Sequence, residues 1–429
     1  MLIDWEEKNK YMHFRLTLRI PKIEKIMLFY YFTMPIWRED LFANLPGGWL
    51  LCPATLWFLI LLTLIKKHSC LGRYIDILFF YLVIFGLFFF KFWGNPEMSV
   101  WLTRTYGVLS VITWGGIYSY AVIRLQSNVR DILGVLKKTG IILGIYYAWR
   151  ALEVIQNGYW TYTQFDVVRH TTSNMSWSYG VLMAICFVSI YLLKEKIRWV
   201  IIPIFVGVLG ILAYGSRGTL IAFLLGVLFL ILVYNEGKMK LKNYILLFLC
   251  VGIGIFLLSD TGLTIVSDLL KNMGLNSRFI DSLLNFSFSN FEETSNGRWI
   301  IWMTVLNMIH NGPFYGYGVY GERNIVYNLG MRWGYSHNIF LELLISFGWL
   351  IGSIIIIFMI IGIVRFFAKV KDKDEKLLFI IFLTLSFELL LSNTLWLHVA
   401  PWALMALYVN HFKCKHYTEM KKFVKHGCA

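Results

Sequence analysis

Three places in this chain combine a reactive side-chain type with a position where chemistry is possible. In Ser216-Arg217-Gly218 an arginine occupies a tight turn between two unbroken apolar runs. A guanidinium at a lipid boundary is costly unless it meets water, phosphate headgroups or another anionic ligand. A snorkelling, headgroup-binding arginine is the bland reading; a guanidinium aimed at a lipid-linked phosphate is the sharper one. Arg298 follows Asn296-Gly297 and opens an aromatic, apolar helix. An ordinary solvated charge is the bland reading. A cation is unfavourable at a helix N-terminus, however, which points to some other reason for its place, such as an anion shared with the free backbone N–H groups. His337-Asn338 stands where a long polar stretch gives way to apolar sequence, and Glu342 follows one turn later. An interfacial histidine is more often structural than catalytic, but this one is expected at the same depth as Arg217. A neutral imidazole there can take a proton from a sugar hydroxyl, with Glu342 either orienting the ring or satisfied within the helix bundle.

The remaining charges in apolar surroundings are less specific. Arg150 and Glu153 are spaced i,i+3 and are expected to neutralise each other. Glu388 and His398 suit a site or a helix-packing role equally. Lys91 and Arg104 fall near helix ends and fit the lining of a phosphate or glycan path. Asn338, Glu342, Arg104 and Tyr317 are the further substrate-binding candidates, whereas His310, before Asn311-Gly312-Pro313, is explained by a helix end. There is no Walker A loop, metalloprotease helix or nucleophile elbow. No Asp-rich motif suggests a divalent-metal site for a nucleotide sugar. Cys52, Cys70, Cys186, Cys250, Cys414 and Cys428 have neither paired nor metal-ligand spacing. The chemistry is therefore expected to need no metal or cofactor and to use an already activated donor.

The elements that must position these residues are membrane helices. The 429 residues are 58% hydrophobic and only 15% charged, too apolar for a soluble domain to cover its surface. Nearly uncharged runs of spanning length cover 49–65, 75–90, 177–193, 199–214, 220–234, 244–258 and 339–364. A net charge of +15 would suggest nucleic acid in a soluble chain, but here Lys and Arg cluster just beyond alternate apolar ends. That pattern places both termini in the cytoplasm and predicts an all-α protein of about 12 spans. The first span (about 26–37) and the division of 376–411 around Asn393 are its least marked parts. One connection breaks the pattern of short loops. Residues 259–337 carry five basic against six acidic side chains, include a helix-like piece at 299–309, and hold the run Pro313-Phe314-Tyr315-Gly316-Tyr317-Gly318. A structured loop of this length is usually functional. The expected organisation is a cytoplasmic tail at 1–25, helices 1–9 at 26–258, and an extracytoplasmic loop with catalytic elements at 259–337. Helices 10–12 follow at 338–411, then a basic tail at 412–429.

In order along the chain, several motifs resemble the O-antigen ligase and polysaccharide polymerase family of bacterial envelopes. They are Gly215-Ser216-Arg217-Gly218; Arg298 with Trp299 and Trp302; Pro313 with Gly316-Tyr317-Gly318; and His337-Asn338-Ile339-Phe340-Leu341-Glu342 with Gly348 and Gly352. The resemblance implies a metal-independent glycosyltransferase at the outer face of the bacterial inner membrane, using a polyprenyl-diphosphate-linked glycan. It implies that Arg217 and Arg298 hold the diphosphate and stabilise its growing charge, and that His337 positions or deprotonates the acceptor hydroxyl. Expected partners are that donor, a glycan or lipid A-core acceptor, membrane lipids and a chain-length regulator, with no nucleic acid. The leading reading is a polymerase of O-antigen, capsule or exopolysaccharide repeat units, and the alternative is a ligase transferring to lipid A-core. A transporter of lipid-linked oligosaccharide would show inverted repeats and charges spread through the midplane; the polar residues here gather at one boundary instead.

Overall fold

The computed structural model describes residues 2–8, 11–17, 22–42, 45, 47–66, 71–93, 95–104, 106–164, 167–171, 174–234, 259–272, 284, 297–330 and 334–426. The expected span at 244–258, and residues 273–283, 285–296 and 331–333 of the long loop, lie outside the described residues. Helices dominate: α1 (Ile23–Phe32), α2 (Gly48–Lys66), α3 (Leu71–Trp93), α4 (Val108–Trp114), α5 (Tyr118–Arg124) and α6 (Val129–Asn157) come first. Then follow α7 (Met175–Lys194), α8 (Ile201–Tyr214), α9 (Arg217–Phe229), α10 (Asp260–Asn272), α11 (Arg298–Asn311), α12 (Arg323–Asn328), α13 (Ile339–Lys369), α14 (Lys373–Ser386) and α15 (Val399–His426). The described chain is helical as expected, with two small antiparallel hairpins added, β1–β2 (Leu2–Lys8, Tyr11–Thr17) and β3–β4 (Trp160–Gln164, Val167–Thr171). Both contain β-branched and aromatic residues that suit strands, a local signal weaker than the hydropathy of the neighbouring spans.

Among the described residues six stretches are long and apolar enough to cross a membrane: Gly48–Lys66, Gly72–Trp93, Pro96–Arg124, Val129–Asn157, Met175–Lys194 and Ile339–Lys369. Arg198–Tyr214 and Gly218–Val233 are shorter apolar helices. The expected count of about 12 spans is not reached among them. Residues 235–258 lie outside the described residues, and the expected spans at 199–214 and 220–234 fall in the two shorter helices.

The helix ends rich in Lys and Arg gather together. Arg124 pairs with Asp76 at 2.7 Å and Lys194 with Asp374 at 2.6 Å, tying α5 to α3 and α7 to α14. At the opposite end the Asn174 N–H donates to the Tyr214 carbonyl at 3.2 Å, joining the start of α7 to the end of α8. Residues 377–385 of α14 are all buried, so this helix, apolar on every face, is the centre of the bundle. It packs on α6, α7, α9 and α15. Helix α13, by contrast, exposes Ile351, Ile354, Ile357, Phe358, Ile360, Ile361 and Val364, and α3 exposes Leu78, Phe79, Leu82, Phe89 and Phe90. Large apolar faces of this kind fit lipid, where helices associate through close packing and not through the hydrophobic effect.

Helix α13 is broken near its start, and the Gly/aromatic run explains how. Gly348 has φ +77° inside the helix, and a Cβ there would meet the Phe314 carbonyl oxygen at 1.8 Å. The loop backbone fits against this break: Tyr317 N–H donates to the Ile345 carbonyl and Gly318 N–H to that of Ser346, both at 2.8 Å. Loop amides thereby satisfy carbonyls that a break would strand in a low-dielectric setting.

Candidate functional site

Arg217 is the first residue of α9. Ser216 caps that helix, its Oγ accepting from Thr219 N–H at 3.4 Å, and Thr219 Oγ1 also lies 2.8 Å from Ser178 Oγ on α7. The Arg217 and Gly218 N–H groups of this first turn have no carbonyl one turn back within the helix and suit an anion. The Arg217 side chain lies outside what is described. Its neighbour Gly218 lies against Tyr179 of α7: an added Cβ would fall 2.3 Å from the Tyr179 hydroxyl. Glycine at that position is what lets α9 begin beside that hydroxyl.

Arg298 opens α11 after Gly297, whose φ of +75° ends the preceding chain in a left-handed turn that favours glycine. Burial pushes the guanidinium's pKa down, and the neighbouring hydroxyl-bearing rings of Tyr179 and Tyr335 oppose that shift. Trp302, one turn on, donates its indole N–H to the Ser336 carbonyl at 3.0 Å, which fixes α11 against the residue before His337. Behind this contact Ile301, Val305 and Met308 pack with Val326, Leu341 and Ile345.

His337 itself has φ +55° and stacks obliquely on Tyr335, with ring centroids 4.2 Å apart. Its Nδ1 is shut off from solvent and has no hydrogen-bond partner among the described residues. Burial, then the positive charges of Arg298 and Arg323, push its pKa down to about 3. The imidazole is therefore neutral across the physiological range. A non-glycine residue held at positive φ, with a buried open nitrogen, is the kind of strain found at functional positions.

The other expected residues take distinct places. The Asn338 side chain caps α13, its Oδ1 accepting from Phe340 N–H at 2.9 Å and Leu341 N–H at 3.2 Å, while its Nδ2 donates to the Leu390 carbonyl at 3.2 Å. Glu342 accepts from the Thr394 hydroxyl and, at 2.9 Å, from Leu395 N–H, so it ties α13 to the 391–398 turn. Tyr317 and Lys91 meet at the α13 break, Lys91 Nζ donating to the Tyr317 carbonyl at 2.6 Å. Arg104 lies over the Tyr327 ring at 3.9 Å and beside Trp101, with the guanidinium 5.3 Å from that ring centre. Arg150 and Glu153 do not neutralise each other: Arg150 faces Asp40 at 3.4 Å and Glu153 accepts from Thr161 N–H at 2.8 Å. The β3–β4 hairpin supplies that second partner.

The geometry thus brings Arg298 and His337 together around Tyr335, and sets the start of α9 at Tyr179, the other tyrosine beside Arg298. Sequence reading missed Tyr179, Tyr335 and Arg323. Arg323 is fully buried, with its guanidinium 4.1 Å from the Tyr320 ring centre, 5.3 Å from Tyr335 and 5.4 Å from Trp101. Beside it Glu322 is equally buried, and burial pushes its carboxyl up to about 7. In the sequence these two were only an adjacent opposite-charge pair in a mixed loop, which ordinarily means solvated. The His398–Glu388 pair, weighed both ways above, is buried with Nε2 2.8 Å from Oε2. Because Nδ1 is within 3.3 Å of the Ala400 N–H and accepts from it, the proton belongs on Nε2, facing Glu388. Among the described residues no group of three or more His, Cys, Asp or Glu is placed to hold a metal ion.

Comparison with known proteins adds two findings. Residues 202–357 match the model of the family described as O-antigen ligase. A stretch of 103 residues is 31% identical to the ComP-specific O-oligosaccharyltransferase of Acinetobacter baylyi, covering 22% of this chain and 19% of that protein. The match therefore spans about a fifth of that relative's length. No solved structure matches. The matched segment contains Arg217, Arg298, His337, Glu342 and the α13 break. Residues 202–357 are thus similar to the domain described as O-antigen ligase, over about a third of the chain.

Proposed function

We propose that this protein transfers a glycan from a polyprenyl-diphosphate carrier to a sugar hydroxyl, at the face of the membrane opposite its basic helix ends. The observation that carries the reading is the cluster of Arg298, neutral His337 with its open Nδ1, and the N-terminus of α9 beside Tyr179. In the reaction the acceptor oxygen attacks the anomeric carbon of the donor sugar, and the bond from that carbon to the phosphate oxygen breaks. The acceptor proton passes to the His337 imidazole, and the electron pair leaves with the diphosphate. Arg298, Arg217 and the free amides of α9 hold that anion and favour the charge it gains. An imidazole depressed to about 3 is a weak base, but two of the three causes are guanidinium charges. A bound diphosphate offsets those charges, so His337 becomes a better base once the donor is seated. Glu342 and Asn338 hold the segment from which His337 projects.

Positive charge at alternate helix ends supports a reading in which those ends face the cytoplasm of a bacterial inner membrane and the site faces the outer side. The first reading of the acceptor is a second lipid-linked repeat unit, which makes the protein a polymerase. The description of the matching family and the name of the Acinetobacter relative favour a second reading, a ligase that passes the glycan to a different acceptor such as lipid A-core. Purified protein given only a lipid-linked repeat unit separates them. Longer lipid-linked chains support the polymerase; product that forms only when lipid A-core is added supports the ligase. No transfer in either mixture overturns the glycosyltransferase reading.

A further inference from the structure

A cleft of about 240 Å³ opens at the same end of the bundle, between α6, α7 and the 387–399 turn. Its walls include Trp160, Trp177, Tyr146 and Tyr179, together with Asn174, Asn393 and Glu388. Tyr179 belongs to both places: it lines this cleft and neighbours Arg298 and Gly218. We propose that this cleft is a binding site for an uncharged sugar of the glycan substrate, separate from the groups that hold the diphosphate. The proposal rests on the glycosyl-transfer reading above.

Three observations point to a neutral sugar. First, the cations on the cleft wall are already matched: Arg38 pairs with Glu39 at 2.5 Å, and Arg150 faces Asp40 at 3.4 Å. With Glu388 added, the wall has no surplus of positive charge for a phosphate or a uronic acid. Second, Trp160 Nε1 has no hydrogen-bond partner among the described residues, although that side chain is only 1% exposed. A buried donor of this kind needs an acceptor, and sugar ring, hydroxyl and amide oxygens supply one. Third, Glu388 is held in place by Asn393 Nδ2 at 3.1 Å and His398 Nε2 at 2.8 Å. A carboxylate has about four acceptor positions, so two remain for hydroxyl donors. Aromatic walls with a fixed carboxylate and amides suit a ligand that is apolar on its faces and polar on its rim, as a pyranose is. The β3–β4 hairpin carries Trp160 into place against Trp177, with ring centroids 5.3 Å apart.

The test uses the full chain in lipid nanodiscs and follows tryptophan fluorescence on titration with glucose, galactose, N-acetylglucosamine and N-acetylgalactosamine. Glucuronic acid and inorganic pyrophosphate are the charged comparisons. At least one neutral sugar should bind, and both Glu388→Gln and Trp160→Phe should weaken it by about tenfold or more, the loss expected of one strong hydrogen bond. Pyrophosphate affinity should be unchanged in both variants, since neither touches the arginine cluster. The proposal is overturned if no neutral sugar binds, if neither variant alters the binding, or if glucuronic acid or pyrophosphate competes for the cleft. Sugar binding in a protein that performs no glycosyl transfer would instead leave the cleft intact and refute the enzymatic reading.

Discussion

Replacing His337 with glutamine, which is neutral at every pH, should change how stability responds to acid. Burial and two guanidinium charges hold the imidazole's pKa at about 3, against 6.5 when unfolded. Between those values the unfolded chain binds a proton that the folded one refuses, so the wild type loses stability as pH falls below 6.5. Each pH unit is worth about 1.4 kcal/mol, so at pH 5 the wild type should have lost about 2 kcal/mol relative to the variant. In a chain of 429 residues that corresponds to about 2 °C in Tm. Glu322 titrates in an overlapping window with the opposite sign, because its raised carboxyl stabilises the fold below its unfolded pKa and loses that contribution as pH rises toward 7. That term is common to both proteins, so the difference between their pH curves isolates His337. The assay is thermal unfolding in detergent from pH 7 to pH 4, followed by intrinsic fluorescence. Parallel curves would refute the buried, guanidinium-flanked imidazole.

Other substitutions test the scaffold around it. Gly316→Ala should impair folding by several kcal/mol, as measured by the yield of monodisperse protein, because φ is +80° and the new Cβ would lie 2.2 Å from Gly348 N. Glu342→Gln should cost about 1–3 kcal/mol of thermal stability, since the amide cannot accept from both the Thr394 hydroxyl and Leu395 N–H while keeping its own N–H₂ satisfied. Arg323→Lys should lower stability by about 1–2 kcal/mol and slow glycan transfer, because an ammonium does not reproduce the planar contact with the Tyr320 and Tyr335 rings.

Much of the scaffold was legible because lipid imposes simple rules. Long uncharged runs gave spans such as Met175–Lys194 and Ile339–Lys369, and the clustering of Lys and Arg matched one physical end of the bundle. The hairpins were not legible, because short strands have weak periodicity beside membrane helices. At the site, Arg298 stood out through its unfavourable place on the helix dipole, and His337 through its position at a boundary. Their meeting through Tyr335 could not be read, since Arg298 and His337 are 39 positions apart with a long loop between them. Arg323 was hidden for another reason: only the fold reveals that Trp101, Tyr320 and Tyr335 enclose it. Glycines were better guides than charges in one respect. The run ending in Gly318 and the later Gly348 were both visible, and the structure joins them into one junction.

The most direct test of the account is the rate of sugar transfer from a polyprenyl-diphosphate-linked repeat unit by the purified protein, compared with Arg298→Ala and His337→Ala. Both variants should remain folded and lose about a hundredfold or more in rate, the scale of a missing anion-stabilising group or general base. Transfer at the wild-type rate by either folded variant would contradict the assignment of that residue to the reaction.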